Sequence, residues 1–227
     1  MTDDSERTHV DSFFEKIAGR WPAGRQDYHW HVLPPAGLVR EHLADPYLGI
    51  TTRPGLARVD PEWAHITVWH DAPVSDVSQQ AMDPVLARVR DRCRQVSPFT
   101  ARVRRPEVWA TAVVCPVYPG PALRQLWAIV REAAAGTGQP GQESLNYFPH
   151  LTLAYATGRS DDGPLREQLT STDHAEPVIS VDALTLVAQQ HDGRTITWSV
   201  AEVIPLGGGP SAAAPSAPAR RRDDHAR

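Results

Sequence analysis

Two histidines, each followed two residues later by a threonine, have a type and spacing that can do chemistry. One lies in Trp63-Ala64-His65-Ile66-Thr67-Val68-Trp69, the other in Phe148-Pro149-His150-Leu151-Thr152-Leu153-Ala154. On an extended strand, residues i and i+2 share a face. Each motif therefore offers an imidazole and a hydroxyl on one side, and Ile66, Val68, Leu151 and Leu153 on the other. An imidazole titrates near pH ~6.5, so one ring can take a proton while another gives one. Cleavage of a phosphodiester needs both acts, one on the attacking oxygen and one on the departing oxygen. Charge building on the non-bridging oxygens is met by hydroxyl donors. The pattern thus predicts His65 and His150 as an acid/base pair and Thr67 and Thr152 as phosphate ligands. A symmetric pair leaves open which histidine is the base.

The same stretches carry further candidates. His31, Trp69, Tyr147, Phe148 and Tyr155 are candidate lining residues of a substrate groove, aromatic rings there being able to stack on a base. Strict alternation sends His70 to the face opposite His65, which reads as structural. His29 and His31 form an H-x-H pair, a spacing that can hold zinc. If that face joined the groove, a histidine-ligated metallohydrolase would be the alternative chemistry. No carboxylate stands at a matching position, so the expectation is no metal and no cofactor. A non-catalytic nucleotide- or RNA-binding module is the alternative from another class. Retention of both histidines and both threonines speaks against it.

These motifs need strands to hold them, and the chain supplies the elements. At 227 residues, 41% hydrophobic and 22% charged, it reads as an ordinary globular protein long enough for one sizeable core. The net charge of −4 excludes a global basic field for long nucleic-acid tracts. Cys93 and Cys115 form no CxxC pair, so neither a cysteine zinc site nor a disulfide framework is expected. The acidic start MTDDSERTHV is unlike a signal peptide, and no apolar run approaches the ~18 residues of a membrane span. The expectation is a monomeric cytoplasmic protein without membrane contact.

In order, residues 1–26 read as an N-terminal extension whose Val10, Phe13, Phe14 and Ile17 suit a short docked helix. Residues 27–206 read as a single bilobal domain, and 207–227 as a low-complexity disordered tail. Strand Tyr28–Leu33, a helix and the His65 strand rhyme with strand Val108–Cys115, a helix and the His150 strand. A helix opening at Asp83-Pro84 follows the first motif, and a glycine-rich loop, GTGQPGQESLN, leads into the second. The pattern predicts an α+β fold of two pseudo-twofold-related α/β lobes. Their sheets, mainly antiparallel, face a central groove floored by the motif strands.

The pair HITV and HLTL resembles the signature of the two-histidine (2H) phosphoesterase superfamily. Phe148-Pro149-His150-Leu151-Thr152-Leu153-Ala154-Tyr155 is similar to the second motif of its bacterial 2′-5′ RNA ligase-like branch. The chain departs from that branch where many members carry a basic residue just after the second motif; here stand Ala154-Tyr155-Ala156. Trp69-His70 likewise replaces the common Phe-Leu-Gly after the first motif. The resemblance implies a bilobal fold and metal-independent chemistry on 2′,3′-cyclic phosphates or 2′-5′-linked nucleotides, with ligation as a further activity of some members. It implies short RNA 3′ ends or cyclic nucleotides as substrates, and gives His65, His150, Thr67 and Thr152 the roles above.

Overall fold

A computed structural model describes residues 8–135, 147–173 and 175–208. The glycine-rich loop at 136–146 and the tail from 209 onward lie outside the described residues. The elements in order are β1 (His9–Val10), α1 (Phe13–Ile17), β2 (Asp27–Val32), α2 (Ala36–Val39), α3 (Leu48–Thr51), β3 (Leu56–Arg58), β4 (Ile66–Pro73) and α4 (Gln79–Cys93). They continue as β5 (Phe99–Val103), β6 (Glu107–Trp109), β7 (Ala112–Tyr118), α5 (Gly120–Ala134), β8 (His150–Ala156), β9 (Ser160–Asp161), α6 (Gly163–Ser171), β10 (Val178–Val181), β11 (Ala183–His191) and β12 (Ile196–Pro205).

Ten strands form one antiparallel sheet with the central order β10-β5-β7-β8-β4-β2-β11-β12; β3 pairs with β8, and β6 with β7. The two motif strands, β4 and β8, are neighbours at its centre. Each half repeats a strand, a helical crossover and a motif strand: β2 to β4 in one, β7 to β8 in the other. The halves therefore join edge to edge, and the fold is the expected α+β arrangement of two related lobes. The last two long strands, β11 and β12, return to complete the first half beside β2.

One face of the sheet carries α4 and α5. Val85, Leu86, Val89 and Cys93 of α4, and Leu123, Leu126, Ile129 and Val130 of α5, are buried against Ile66, Val68, Leu151 and Leu153 in one continuous core. The period of about 3.6 residues in both helices is what presents those side chains together. The start of α4 differs from the sequence expectation. Ser78 caps it, its side chain accepting from the Ala81 amide at 3.2 Å, and Pro84 lies inside the helix. Pro84 forfeits one backbone hydrogen bond. The buried stripe that begins at Met82 offsets that loss. The single strand expected over Val108–Cys115 is also divided: Ala110-Thr111 turn the chain between β6 and β7, which pair with each other.

The opposite face is covered in part by the N-terminal segment. Ser12 caps α1, and Phe14, Ile17 and the following Trp21 pack with Ala112, Val114, Tyr155 and Ile196 in a second, smaller apolar cluster. Strand β1 ties the segment down by pairing with β9. This extension reaches both halves of the sheet.

Candidate active site

The register between the motif strands places the four expected residues together. Ile66 pairs with Leu151, and both side chains belong to the helix-side core. One step along this antiparallel register sets His65 opposite Thr152, and Thr67 opposite His150. A local twofold axis thus passes through the Ile66–Leu151 pair. His65, Thr67, His150 and Thr152 line the same cavity, of about 230 Å³, on the face away from α4 and α5.

Each catalytic candidate is anchored in the same way. The Asp60 side chain accepts from the Glu62 amide and caps the turn Pro61–Trp63, which leaves the Trp63 carbonyl beside His65. His65 Nδ1 lies 2.9 Å from that oxygen, and His150 Nδ1 lies 2.9 Å from the Phe148 carbonyl. A carbonyl only accepts, so in both rings Nδ1 carries the proton and donates it. That leaves Nε2 of a neutral ring as a proton acceptor.

The surroundings of the two rings differ. His65 is only 8% exposed, stacks on His31 with centroids 4.2 Å apart, and meets the edge of Trp198 at 5.0 Å. Burial, together with His150 nearby, pushes its pKa down to about 4 against the pull of the Trp63 carbonyl. His150 is less buried and stands 4.7 Å from the Trp109 ring. Its pKa is lowered by burial, opposed by the bond to Phe148.

Both motif strands carry a β-bulge one residue after the threonine. In β4, Thr67 pairs with His31 but Trp69 with Trp30, so Val68 is the extra residue. In β8, Thr152 pairs with Val114 but Ala154 with Val113, so Leu153 is extra. A bulge shifts the side-chain alternation by one. His70 and Tyr155 are thereby brought round to the cavity, and both line it.

This corrects two expectations. Trp69 does not line the groove: it turns into the helix-side core, 5% exposed and 6.2 Å from Trp127. His70 is not on the far face; Asp27 holds it at 3.1 Å, and Arg25 grips Asp27 through both nitrogens of its fork at 2.7 Å. Asp27 is 1% exposed, yet these two partners hold its carboxyl below the usual range against the opposing cost of burial.

Other candidates fall as follows. Tyr147 stacks parallel to Trp127 on the helix side, away from the cavity, because it lies in non-strand chain ahead of β8 and escapes the pleat of that strand. Phe148 is exposed and contributes its carbonyl to His150. Tyr155 is buried and lines the cavity together with Thr152. His31 is fully buried beneath His65, and neither ring nitrogen has a partner among the described residues.

The H-x-H face does join the groove. His29 and His70 stack at 4.1 Å, as His31 and His65 do at 4.2 Å. Stacked rings present faces, not lone pairs, to each other. Among the described residues no three His, Cys, Asp or Glu side chains are grouped to hold a metal ion. Sequence reasoning missed the contribution of the N-terminal segment, whose Phe13, Ile17, Arg20 and Trp21 line the cavity. The apolar spacing from Val10 to Ile17 signalled a docked helix, though not where it docks.

A family model described as the 2′-5′ RNA ligase superfamily matches residues 40–193, more than half of the chain. The chain belongs to this superfamily. Its membership accords with the paired 2H motifs. Among solved structures, LigT of E. coli complexed with 3′-AMP aligns with a TM-score of 0.62 at 18% identity, covering 80% of this chain and 98% of that one. A structure named only as a phosphoesterase aligns at 0.60 and 17% identity, and TT0787 of Thermus thermophilus at 0.57 and 19%, with the same coverage. At such identities these likenesses show the 2H phosphoesterase fold. No curated protein matches the chain in sequence.

Proposed function

We propose that this 2′-5′ RNA ligase superfamily member is a phosphodiesterase acting on 2′,3′-cyclic phosphates, or on 2′-5′-linked nucleotides, through His65 and His150. The observation that carries the proposal is the twofold register that sets each histidine opposite the other motif's threonine. A phosphate on that axis has a histidine on either side, as in-line displacement requires. Thr67 and Thr152 donate to its non-bridging oxygens.

The unequal burial supports a division of roles. His65, held neutral to about pH 4, takes the proton from the attacking water through Nε2. His150, less enclosed, donates to the departing ribose oxygen. The Nδ1 bonds to Trp63 and Phe148 fix both rings while charge moves between them. A nucleotide as ligand agrees with the 3′-AMP bound by LigT of E. coli.

The test is turnover of 2′,3′-cyclic nucleotides by wild type, His65→Ala and His150→Ala, with and without a chelator. Chelator-resistant turnover, lost in both variants by about 10²–10⁴-fold, is expected. Turnover abolished by the chelator and restored by zinc overturns the proposal. A nitrophenyl phosphodiester, whose leaving group needs no acid, separates the roles: it rescues His150→Ala and leaves His65→Ala inactive.

A further inference from the structure

Beyond Thr67 the cavity gathers positive charge. Among the described residues that line it there is no carboxylate, and Arg20, from the segment between α1 and β2, is the one arginine. Arg20 is exposed, and its guanidinium has neither an ion pair nor a hydrogen bond among the described residues. The backbone that carries it is held from both sides. Its amide donates to the Ile17 carbonyl at 2.9 Å, and its carbonyl accepts from the Arg25 guanidinium. Beside it Trp21 is buried, the indole nitrogen donating to the Arg25 carbonyl at 3.1 Å. A free cation on a fixed backbone is prepared for an anion, since only the side chain is left to order on binding.

The same Arg25 leads to a second group. Its fork grips Asp27, and Asp27 holds His70 Nε2 at 3.1 Å. A carboxylate only accepts, so Nε2 carries a proton and Nδ1 is the nitrogen left over. His29 stacks on the ring at 4.1 Å and Trp21 meets it at 5.9 Å, which sets its orientation. The His70 side chain is 20% exposed where it lines the cavity. A phosphate brought to that ring favours its protonated form, in which Nδ1 is a second donor. Arg25 already balances the Asp27 carboxylate, which leaves the charge of that ring for the ligand.

Position along β4 says which part of a substrate reaches these groups. His65, Thr67 and, past the Val68 bulge, His70 follow one another on the cavity side. Three residues of strand rise put His70 within about 10 Å of Thr67. Thr67 stands opposite His150, the acid for the departing ribose oxygen, so the nucleoside extends from the phosphate on this side. What lies at the far end of that nucleoside meets Arg20 and His70. A neutral hydroxyl there gains little from two cationic donors, whereas a second phosphate answers both.

We propose that Arg20 and His70 form a second phosphate subsite, which receives the phosphate on the 5′ oxygen of the nucleoside whose cyclic phosphate is cut. This deepens, and rests on, the phosphodiesterase reading above. The occupant is a phosphodiester where the nucleoside ends an RNA chain, and a monoester where it is a free nucleotide. Both are anions whose oxygens accept from the arginine fork. Arg20 lies ahead of the residues 40–193 matched by the family model, so a segment outside that match supplies half of the subsite.

The test compares adenosine 2′,3′-cyclic phosphate with its 5′-phosphorylated form and with the dinucleotide ApA ending in a 2′,3′-cyclic phosphate. In wild type both larger esters are expected to exceed the first in kcat/KM by about tenfold or more, chiefly through KM. A gain confined to the 5′-monoester keeps the subsite and assigns it to free nucleotides. A gain confined to the dinucleotide overturns it, since the added nucleoside then does the binding. In Arg20→Gln the ratio falls toward one, and in Arg20→Glu below one; a ratio unchanged in both overturns the assignment. His70→Gln lowers the same ratio. Calorimetric binding of adenosine 3′,5′-bisphosphate against 3′-AMP reads the subsite without turnover. Equal kcat/KM with and without the 5′-phosphate overturns the subsite and spares the reaction. Tighter binding of the bisphosphate without turnover of any cyclic phosphate supports the subsite and overturns the reaction.

Discussion

The two halves of the site share one backbone and differ in almost everything that supports it. His65, Thr67, the Val68 bulge and His70 repeat as His150, Thr152, the Leu153 bulge and Tyr155. Behind the first set, at equivalent register, stand His31 and His29; behind the second stand Val114 and Ala112. One half is built from imidazoles, of which His70 is held by the buried Asp27 and its partner Arg25; the other is built from small apolar residues. The backbone fixes where the four groups meet. The residues around each ring set how deeply it is buried. Symmetry of position thus coexists with asymmetry of proton affinity.

The largest effect breaks the comparison at its centre. Either histidine replaced by alanine costs about 10²–10⁴-fold in kcat/KM on cyclic phosphates, and only His150→Ala recovers on a nitrophenyl diester. Recovery of His65→Ala instead reverses the roles. Next come the hydroxyls: Thr67→Val and Thr152→Val each cost about 10²-fold in kcat, with KM little changed. If KM alone rises, the threonines bind ground state and transition state equally.

A smaller effect concerns pH. With His65 at about 4 and His150 below its ordinary 6.5, kcat/KM follows a bell whose acid limb lies near pH 4 and whose optimum lies below 6.5. His31→Phe keeps a ring against His65 and shifts the acid limb measurably; a limb unmoved in that variant means His31 does not tune His65.

Stability should follow the same groups. His29, His31 and His65 are all depressed in the folded state, mainly by burial. As pH falls below the unfolded value near ~6.5, the unfolded chain binds protons that the folded chain refuses. Stability is therefore full above pH ~6.5 and lost toward about 4, a loss that melting curves of His31→Phe should show to be shallower. Trp69→Ala sharpens the corrected assignment: it costs about 3–5 kcal/mol of stability, and substrate KM changes little. A raised KM with normal stability would return Trp69 to the groove.

The central residues were legible because they obey period two over three residues, His65 to Thr67 and His150 to Thr152, before either bulge. The lobe repeat was legible for the same reason, since strands and helices alternate in matching order. Beyond Val68 and Leu153 period two no longer holds. A bulge is one unpaired residue whose position depends on the neighbouring strand, and nothing in Val68-Trp69-His70 announces it. His70 and Trp69 were consequently placed on each other's faces. The role of Trp21 depends on a segment crossing from one half to the other, a contact that local sequence does not encode.

Strands β4 and β8 meet at one paired position, Ile66 with Leu151, whereas α5, which follows β7 in the second half, packs across onto β4 in the first. The two halves are therefore held together from the rear of the sheet as well as along its central seam. The Trp69–Trp127 contact, with ring centroids 6.2 Å apart, belongs to that rear junction. A change there loosens one half from the other without altering any side chain that lines the cavity.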